Sequence, residues 1–474
     1  MLQNLNNFFS LITARQVKTA IEPDDLIVIG TRDTRFGGNY KPTVIKACNF
    51  GGGGGTSNAV EVLGAGTCST YRCAVDNAAT GPYSAALGGQ CNTAGGTHTF
   101  SGGGLSNCVL GCAGTIAGGT LNIAGVASGG SCCACCLLGD SGVSGVGVDA
   151  LLQSCYTSIT GGISNKSYGT ASFVGGGQCN YAEGGFTTVS GGASNCAIGF
   201  QSTVSGGLQN SAIGASSVIS GGLANVATGV TSVVGGGLQN GATDQSATVG
   251  GGFQNVAGGP YTTVSGGVFN QTSGNVSVIS GGSDNFITPN GYCSTIGGGW
   301  RNTVNTQAGT IGGGTFNSVS NGPAGCNATF SVIAGGAYNG FFAGCASSIG
   351  GGFTNCISAD VSTISGGFCN LISGSGPRSV IAGGLFNTVS NTTSTIAGGC
   401  QNIVSAALSG ILGGGQNIVS NACSFIVGSC ITSDRDCTTF VNALSMKTVP
   451  TSSAGLPSGT VWRCTVDNIL RIIP

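Results

Sequence analysis

Apolar residues along this chain recur in fixed company. The segment TVSGGLQN ends at Asn210, and its Asn returns at Asn225, Asn240, Asn255, Asn270 and Asn285, always 15 residues on. Backward it reaches Asn195, Asn180 and Asn165, then Asn122, Asn107 and Asn92. Forward it runs through Asn302, Asn317, Asn339, Asn355, Asn370, Asn387, Asn402 and Asn417. Between Asn165 and Asn417, 12 of 16 intervals are 15, and the others are 16, 17, 17 and 22. Such a period marks a stacked structural unit. A last, degenerate copy, SFIVGSCIT, puts Thr432 where the next Asn is expected.

Counting from the Asn as position 0, each place in the unit has a character. Position −6 is Val or Ile in 18 of 18 copies from Ile159 to Ile426, including Ile219, Val234 and Val249. Position −8 is Ser or Thr in 16 of those 18. Position −2 is often large and apolar (Leu208, Leu223, Phe253, Trp300, Phe353, Leu385), and position +2 is often Ala, Val or Ile. Apolar sites at −6, −2 and +2, broken by Gly-Gly at −4 and −3, exclude a helix and predict short strands joined by tight turns. The fold class expected is all-β: a parallel β-solenoid, or β-roll, of ~15-residue Gly/Asn-rich coils stacked at ~4.8 Å. Position −6 is expected to form an inward ladder. The column Asn165, Asn180, Asn195, Asn210, Asn225, Asn240, Asn255, Asn270 and Asn285 is expected to be architectural, its amides bonding up and down the stack.

Composition agrees with that reading. Of 474 residues, 92 are Gly and only 6% are charged, against about 25% in ordinary domains. Glycine weakens helices, which argues against a helical or α/β enzyme. Ten prolines and no three-residue glycine period exclude collagen. A net charge of −1 offers no footprint for nucleic acid or anionic lipid. There is no run of 18 apolar residues, so no membrane insertion is expected. The stretch 1–12, MLQNLNNFFSLI, lacks the basic start and clean apolar core of a signal peptide.

Chemistry-bearing residues are scarce. His98 is the one histidine, and a Ser/His/Asp or Cys/His centre would have to use it. The solenoid acids Glu183, Asp244, Asp284 and Asp360 lie coils apart; Glu183 and Asp244 are four coils, ~19 Å, from each other. Paired glycosidase carboxylates need ~5–9.5 Å. Asp434 and Asp436 flank Arg435 in an expected surface turn. Of 23 cysteines, Cys132, Cys133, Cys135 and Cys136 form the one dense cluster, with no histidine beside it. No catalysis, metal or cofactor is therefore expected, and the cysteines are expected to act as small buried core residues.

The chain divides into residues 1–50, with a short helix to about Ala20 and two strands; a transition at 51–83; repeats at 84–432 with an insert at 125–152; and a C-terminal cap at 433–474. The unit S-x-[IV]-x-G-G resembles the coils of trimeric autotransporter adhesin heads, although its spacing and its Asn differ. The passage DDLIVIGTRDTRFGGNYKPTVIKA resembles an N-terminal module of bacteriophage tail fibres, and VPTSSAGLPSGTVW with NILRI near the end resembles a phage structural-protein terminus. In that terminus Arg463-Cys464-Thr465-Val466-Asp467 replaces the usual Asn-Asp-Gly turn. The resemblances imply a virion fibre assembled in the host cytoplasm and joined to other virion proteins through residues 1–50, and a homotrimer is expected because each coil has only about three apolar positions and an almost uncharged exterior. Attachment to a host receptor or glycan is expected of the enlarged coils at 288–292, 321–327 and 373–377, the insert at 125–152, or Arg435, Trp462 and Arg463. The competing reading is an ice-binding or other adhesive solenoid, or an extracellular filament. Thr188, Thr203, Thr248, Thr263, Thr295 and Thr310 recur at −7, but Val218, Val233, Val278 and Val332 interrupt them.

Overall fold

The computed structural model describes residues 26–32, 40–46, 61–63, 70–72, 76–125, 154–321, 328–445, 449–463 and 470–473. Among them regular structure is entirely β, in about 22 coils over two compact units, Met1–Gln271 and Thr272–Pro474. The helix expected before Ala20, the insert at 126–153 and the Cys132–Cys136 cluster lie outside the described residues. The expected β-solenoid is the fold observed.

A coil such as that of Asn210 explains the repeat. Thr203-Val204 pairs in parallel with Thr188-Val189 on one side and Val218-Ile219 on the other. Ser211-Ala212 pairs likewise with Cys196-Ala197 and Val226-Ala227. Between these two sheets, position −2 makes a single bridge per coil, Ala193 to Leu208 to Leu223. Each sheet segment is an in-out-in triplet: positions −8 and −6 point inward around −7, and 0 and +2 point inward around +1. Ser202, Val204, Asn210 and Ala212 are all fully buried.

The large apolar residues at −2 do not enter the core: Leu208, Trp300 and Phe353 are each 42–43% exposed. The cause is the Gly-Gly corner. Gly206 and Gly207 have φ of 148° and 93°, and Gln209 at −1 has φ of 57°. These left-handed residues turn the chain so that −2 bonds edgewise while its side chain faces out. Gly207 is required twice over. A Cβ there would lie 2.2 Å from the carbonyl oxygen of Gly222 and 2.6 Å from Asn210 Nδ2.

The units differ in core volume. In the first, Val or Ile at −6 faces mainly Ala at +2 (Ala197, Ala212, Ala227, Ala242). Such a small residue lets the next turn close tightly, and a Cβ on Gly199 would lie 2.1 Å from Gly214 O. In the second, Ile349 and Ile364 stand opposite Ile357 and Ile372, all at 0–1% exposure. There the −8 hydroxyls form a rung-to-rung chain. Ser347 Oγ donates to Ala359 O at 2.9 Å and accepts from Ser362 N at 3.0 Å. In the first unit, Ser202, Ser217 and Ser232 use their N–H groups to close the turn, and their buried hydroxyls have no partner.

The ends depart from the coil. Leu26–Arg32 pairs antiparallel with Tyr40–Lys46, the two strands expected from the sequence. Glu61–Leu63 pairs antiparallel with Thr70–Arg72, which itself pairs in parallel with Ala85–Ala86. The Asn column already starts at Asn77, whose Oδ1 accepts from Asn92 N at 2.9 Å. At the far end Ile431, not Thr432, takes the Asn place, its N–H bonding Asn417 Oδ1 at 3.1 Å, because this coil is one residue short. Thr439–Val441 adds one more parallel rung, past residue 432. Val461–Arg463 and Leu470–Ile472 form a terminal antiparallel hairpin.

Candidate functional site

The Asn column is built into the Gly-Gly corner. Asn210 Nδ2 donates to Gly206 O of its own coil at 3.0 Å and to Gly222 O of the next at 2.9 Å. Its Oδ1 accepts the backbone N–H of Asn225 at 3.0 Å. The same three bonds recur at Asn180, Asn195, Asn225, Asn240 and Asn255. Amide-to-amide contacts accompany them in some coils only, at 3.1 Å for Asn225 to Asn210. The ladder therefore satisfies Gly206 O and Asn225 N, which backbone pairing leaves without a partner, while Gly222 O also accepts from Leu208 N at 2.9 Å. Such fully bonded, buried amides carry architecture rather than chemistry.

Function must be sought on the outside. In the second unit the outward residues at −2 and −1 stack into a continuous aromatic file. Trp300 contacts Phe316 at 4.8 Å edge-to-face, and Phe316 stacks on Tyr338 at 4.9 Å. The file continues through Tyr338–Phe353 at 5.4 Å, Phe353–Phe368 at 5.3 Å and Phe368–Phe386 at 5.5 Å. These spacings follow from the coil rise of ~4.8 Å, which is also a favourable ring separation. The guanidinium of Arg301 lies 4.8 Å from the Trp300 ring, and Asp284 Oδ2 accepts from Trp300 Nε1 at 3.2 Å. In the first unit Phe253 and Phe269 make the same −2/−1 contact at 5.1 Å.

The remaining candidates sit apart from that file. Arg435 is held by Asp434 through two bonds of 2.8 and 3.1 Å, both side chains exposed, and the guanidinium keeps the Asp434 carboxyl below its usual range. Trp462 and Arg463 stand on the terminal hairpin, where Trp462 is opposite Arg471 in register. His98 occupies a left-handed turn position and stacks on Tyr83 at 4.9 Å. Asp244 and Asp360 each accept a backbone N–H, from Gln245 at 2.7 Å and Cys345 at 2.8 Å. Glu183 lies beside Tyr181, whose phenol burial and that carboxylate push well above its usual range. Among the described residues no group of His, Cys, Asp and Glu is placed to hold a metal ion.

The sequence matches no family model and no curated protein. No helix among the described residues is long and apolar enough to cross a membrane.

The cysteines correct an expectation. Of the unbridged ones described, Cys179, Cys293, Cys430 and Cys437 are exposed and most others half-buried, because they fall at outward positions such as −1, −2 and −9. Cys112 and Cys155 form a disulfide between corresponding positions of adjacent coils, 43 residues apart in sequence, which clamps the two coils flanking the insert. The aromatic file is half visible in the sequence, where the −2 residues stand out as large and apolar. Its other half, Phe316, Tyr338 and Phe386 at −1, shares that position with Ser, Gln and Cys and shows no pattern until the coils are stacked.

Proposed function

We propose that this chain is a non-enzymatic, elongated fibre protein of a virus particle. Its coils associate as a homotrimer and its N-terminal region joins it to other virion proteins. The observation that carries the reading is the outward apolar file at −2 and −1. A single chain leaves Tyr338 at 51%, Trp300 at 43% and Phe386 at 46% exposure along one corner of successive coils. Contiguous apolar surface of that kind is rare on monomers and is normally covered by a partner. Because it repeats coil by coil, the partner that matches it at every rung is a second copy of the same chain in register. The scarcity of charge along the coils supports the same occupant.

Sedimentation equilibrium of the full chain tests the assembly, and the expected species is a trimer at micromolar concentration. Immunogold labelling of purified particles tests the location. A monomer in the first measurement, or no label in the second, overturns the corresponding half of the proposal. Ice binding is the weaker reading. Position −7 does face outward, but Val218 and Val233 interrupt its threonines between Thr203 and Thr248. Thermal hysteresis of the purified chain would favour it.

A further inference from the structure

The solenoid ends on a rung that is paired from one side. Thr439–Val441 pairs in parallel with Phe425–Val427, and it is the last parallel rung among the described residues. Two residues before each of these strands stands a cysteine, Cys423 and Cys437. Both take the same left-handed turn conformation, with φ of 55° and 53°. The backbone sets them in register: Cys437 N donates to Ala422 O at 2.9 Å, as Cys423 N donates to Ala407 O at 3.1 Å one coil earlier. The residues around them are pinned as well. Asp436 Oδ1 accepts from Ala422 N at 2.9 Å, and Ser424 Oγ donates to Arg435 O at 2.9 Å. Among the described residues these are the one pair of thiols at matching positions of adjacent coils.

We propose that Cys423 and Cys437 are a cross-linking site, a dithiol that a small disulfide such as oxidised glutathione converts to an intramolecular disulfide, locking the terminal rung onto the solenoid. Stacked strands lie ~4.8 Å apart, within the ~4.4–6.8 Å between Cα atoms that a disulfide spans. This chain accepts such a bond between neighbouring coils, since Cys112 and Cys155 are bridged across one coil step with Cα atoms 4.5 Å apart. The two thiols already share a hydrogen bond, and the Cys423 sulfur beside it pushes the Cys437 thiol up. Cys437 is exposed and Cys423 half-buried, which opens the pair to a small reagent. Cys430, also exposed, sits at a different corner, where its Sγ lies 3.4 Å from Gln416 Oε1.

Exchange takes two steps. A thiolate of the pair attacks one sulfur of oxidised glutathione, forming a mixed disulfide and releasing one glutathione thiolate. The thiolate of the second cysteine then attacks the protein sulfur of that bond and releases the other glutathione. The cysteines lose two electrons and two protons, and the glutathione disulfide gains them as two thiols. The effect falls on the end of the stack. A terminal rung opens more readily than an interior one, because it has one neighbouring coil instead of two. Closing a loop of about 15 residues restricts the opened state and leaves the closed rung as it is. Oxidation therefore suppresses opening, and reduction restores it.

The test equilibrates the full chain in glutathione buffers of increasing oxidised fraction and traps the remaining thiols by alkylation. Mass spectrometry reads the Cys423–Cys437 cross-linked peptide, and hydrogen exchange reads the rung. The cross-link is expected within a single chain, and the amides of Thr439–Val441 should gain at least about tenfold protection on oxidation. Cys437→Ser, an exposed and nearly isosteric change, should abolish both the cross-link and the gain while matching the reduced wild type in protection. Cys430→Ser should keep both. These readouts are separate from the fibre reading, which neither result alters. Glutathione left as a mixed disulfide on Cys437, a bond from Cys437 to Cys430 or to a second chain, or a cross-link that leaves exchange at Thr439–Val441 unchanged overturns the proposal. So does a gain in protection that persists in Cys437→Ser.

Discussion

Replacing Asn240 with Ala is the most direct probe of the architecture. Asn240 is 1% exposed; its Nδ2 donates to Gly236 O at 2.8 Å and to Gly252 O at 2.9 Å, and its Oδ1 accepts from Asn255 N at 2.9 Å. The variant leaves the Gly236 carbonyl and the Asn255 N–H in the corner without a partner, while Gly252 O keeps its bond from Leu238 N at 2.9 Å; Gly236 and Gly237 hold the backbone there at φ of 146° and 87°. At roughly 1–3 kcal/mol for each of the two unmet buried groups, and with partial relaxation, the expected loss is about 2–4 kcal/mol. Coils contact mainly their neighbours, so the loss should stay local. Native-state hydrogen exchange should show amides of the Asn225, Asn240 and Asn255 coils losing protection while those around Asn180 keep theirs. Asn240→Asp sharpens the test. A carboxylate facing the same two carbonyls should have a raised folded pKa, so the variant should be least impaired below about pH 3.9 and worsen as pH rises. Unchanged exchange in Asn240→Ala, or uniform loss along the unit, would refute the corner-satisfying role.

Further outcomes follow from other columns. Ser217→Ala removes a buried hydroxyl with no partner and should stabilise by up to about 1 kcal/mol in urea unfolding, whereas Ser394→Ala breaks bonds to Thr392 O and Ala406 O and should cost 1–3 kcal/mol. Val361 sits exposed at φ of 54°, so Val361→Asn should raise stability by about 1 kcal/mol. Reducing the Cys112–Cys155 bond, which closes a loop of 43 residues, should cost about 4 kcal/mol in the chain-entropy account, read as a lowered melting temperature with reductant. Burial pushes the Cys356 thiol up to about 11, so alkylation at pH 8 should be about 100-fold slower than for an ordinary thiol, read by mass spectrometry of the labelled peptide. The same shift means that stability falls as pH rises from about 9 towards 11, because the unfolded chain releases that proton first.

The fold class was legible because a solenoid writes its geometry into the period. A 15-residue recurrence of Asn, Gly-Gly and Val or Ile has few other physical solutions, and the strands flanking residues 33–39 were equally plain from their β-branched runs. The direction in which Leu208 or Trp300 points was not legible. Apolar character alone says inward, and only the left-handed turns at positions −3 and −1, the latter filled by Gln209 or Arg301 rather than glycine, aim position −2 outward. The same holds for the aromatic file. Phe316 and Phe353 are 37 residues apart in sequence. Periodicity predicts that such residues share a column or a turn, but the stacking of coils brings their side chains onto one surface. Local chemistry along the chain thus determined the coil, and the path of the backbone through each corner decided which of its faces the protein shows to others.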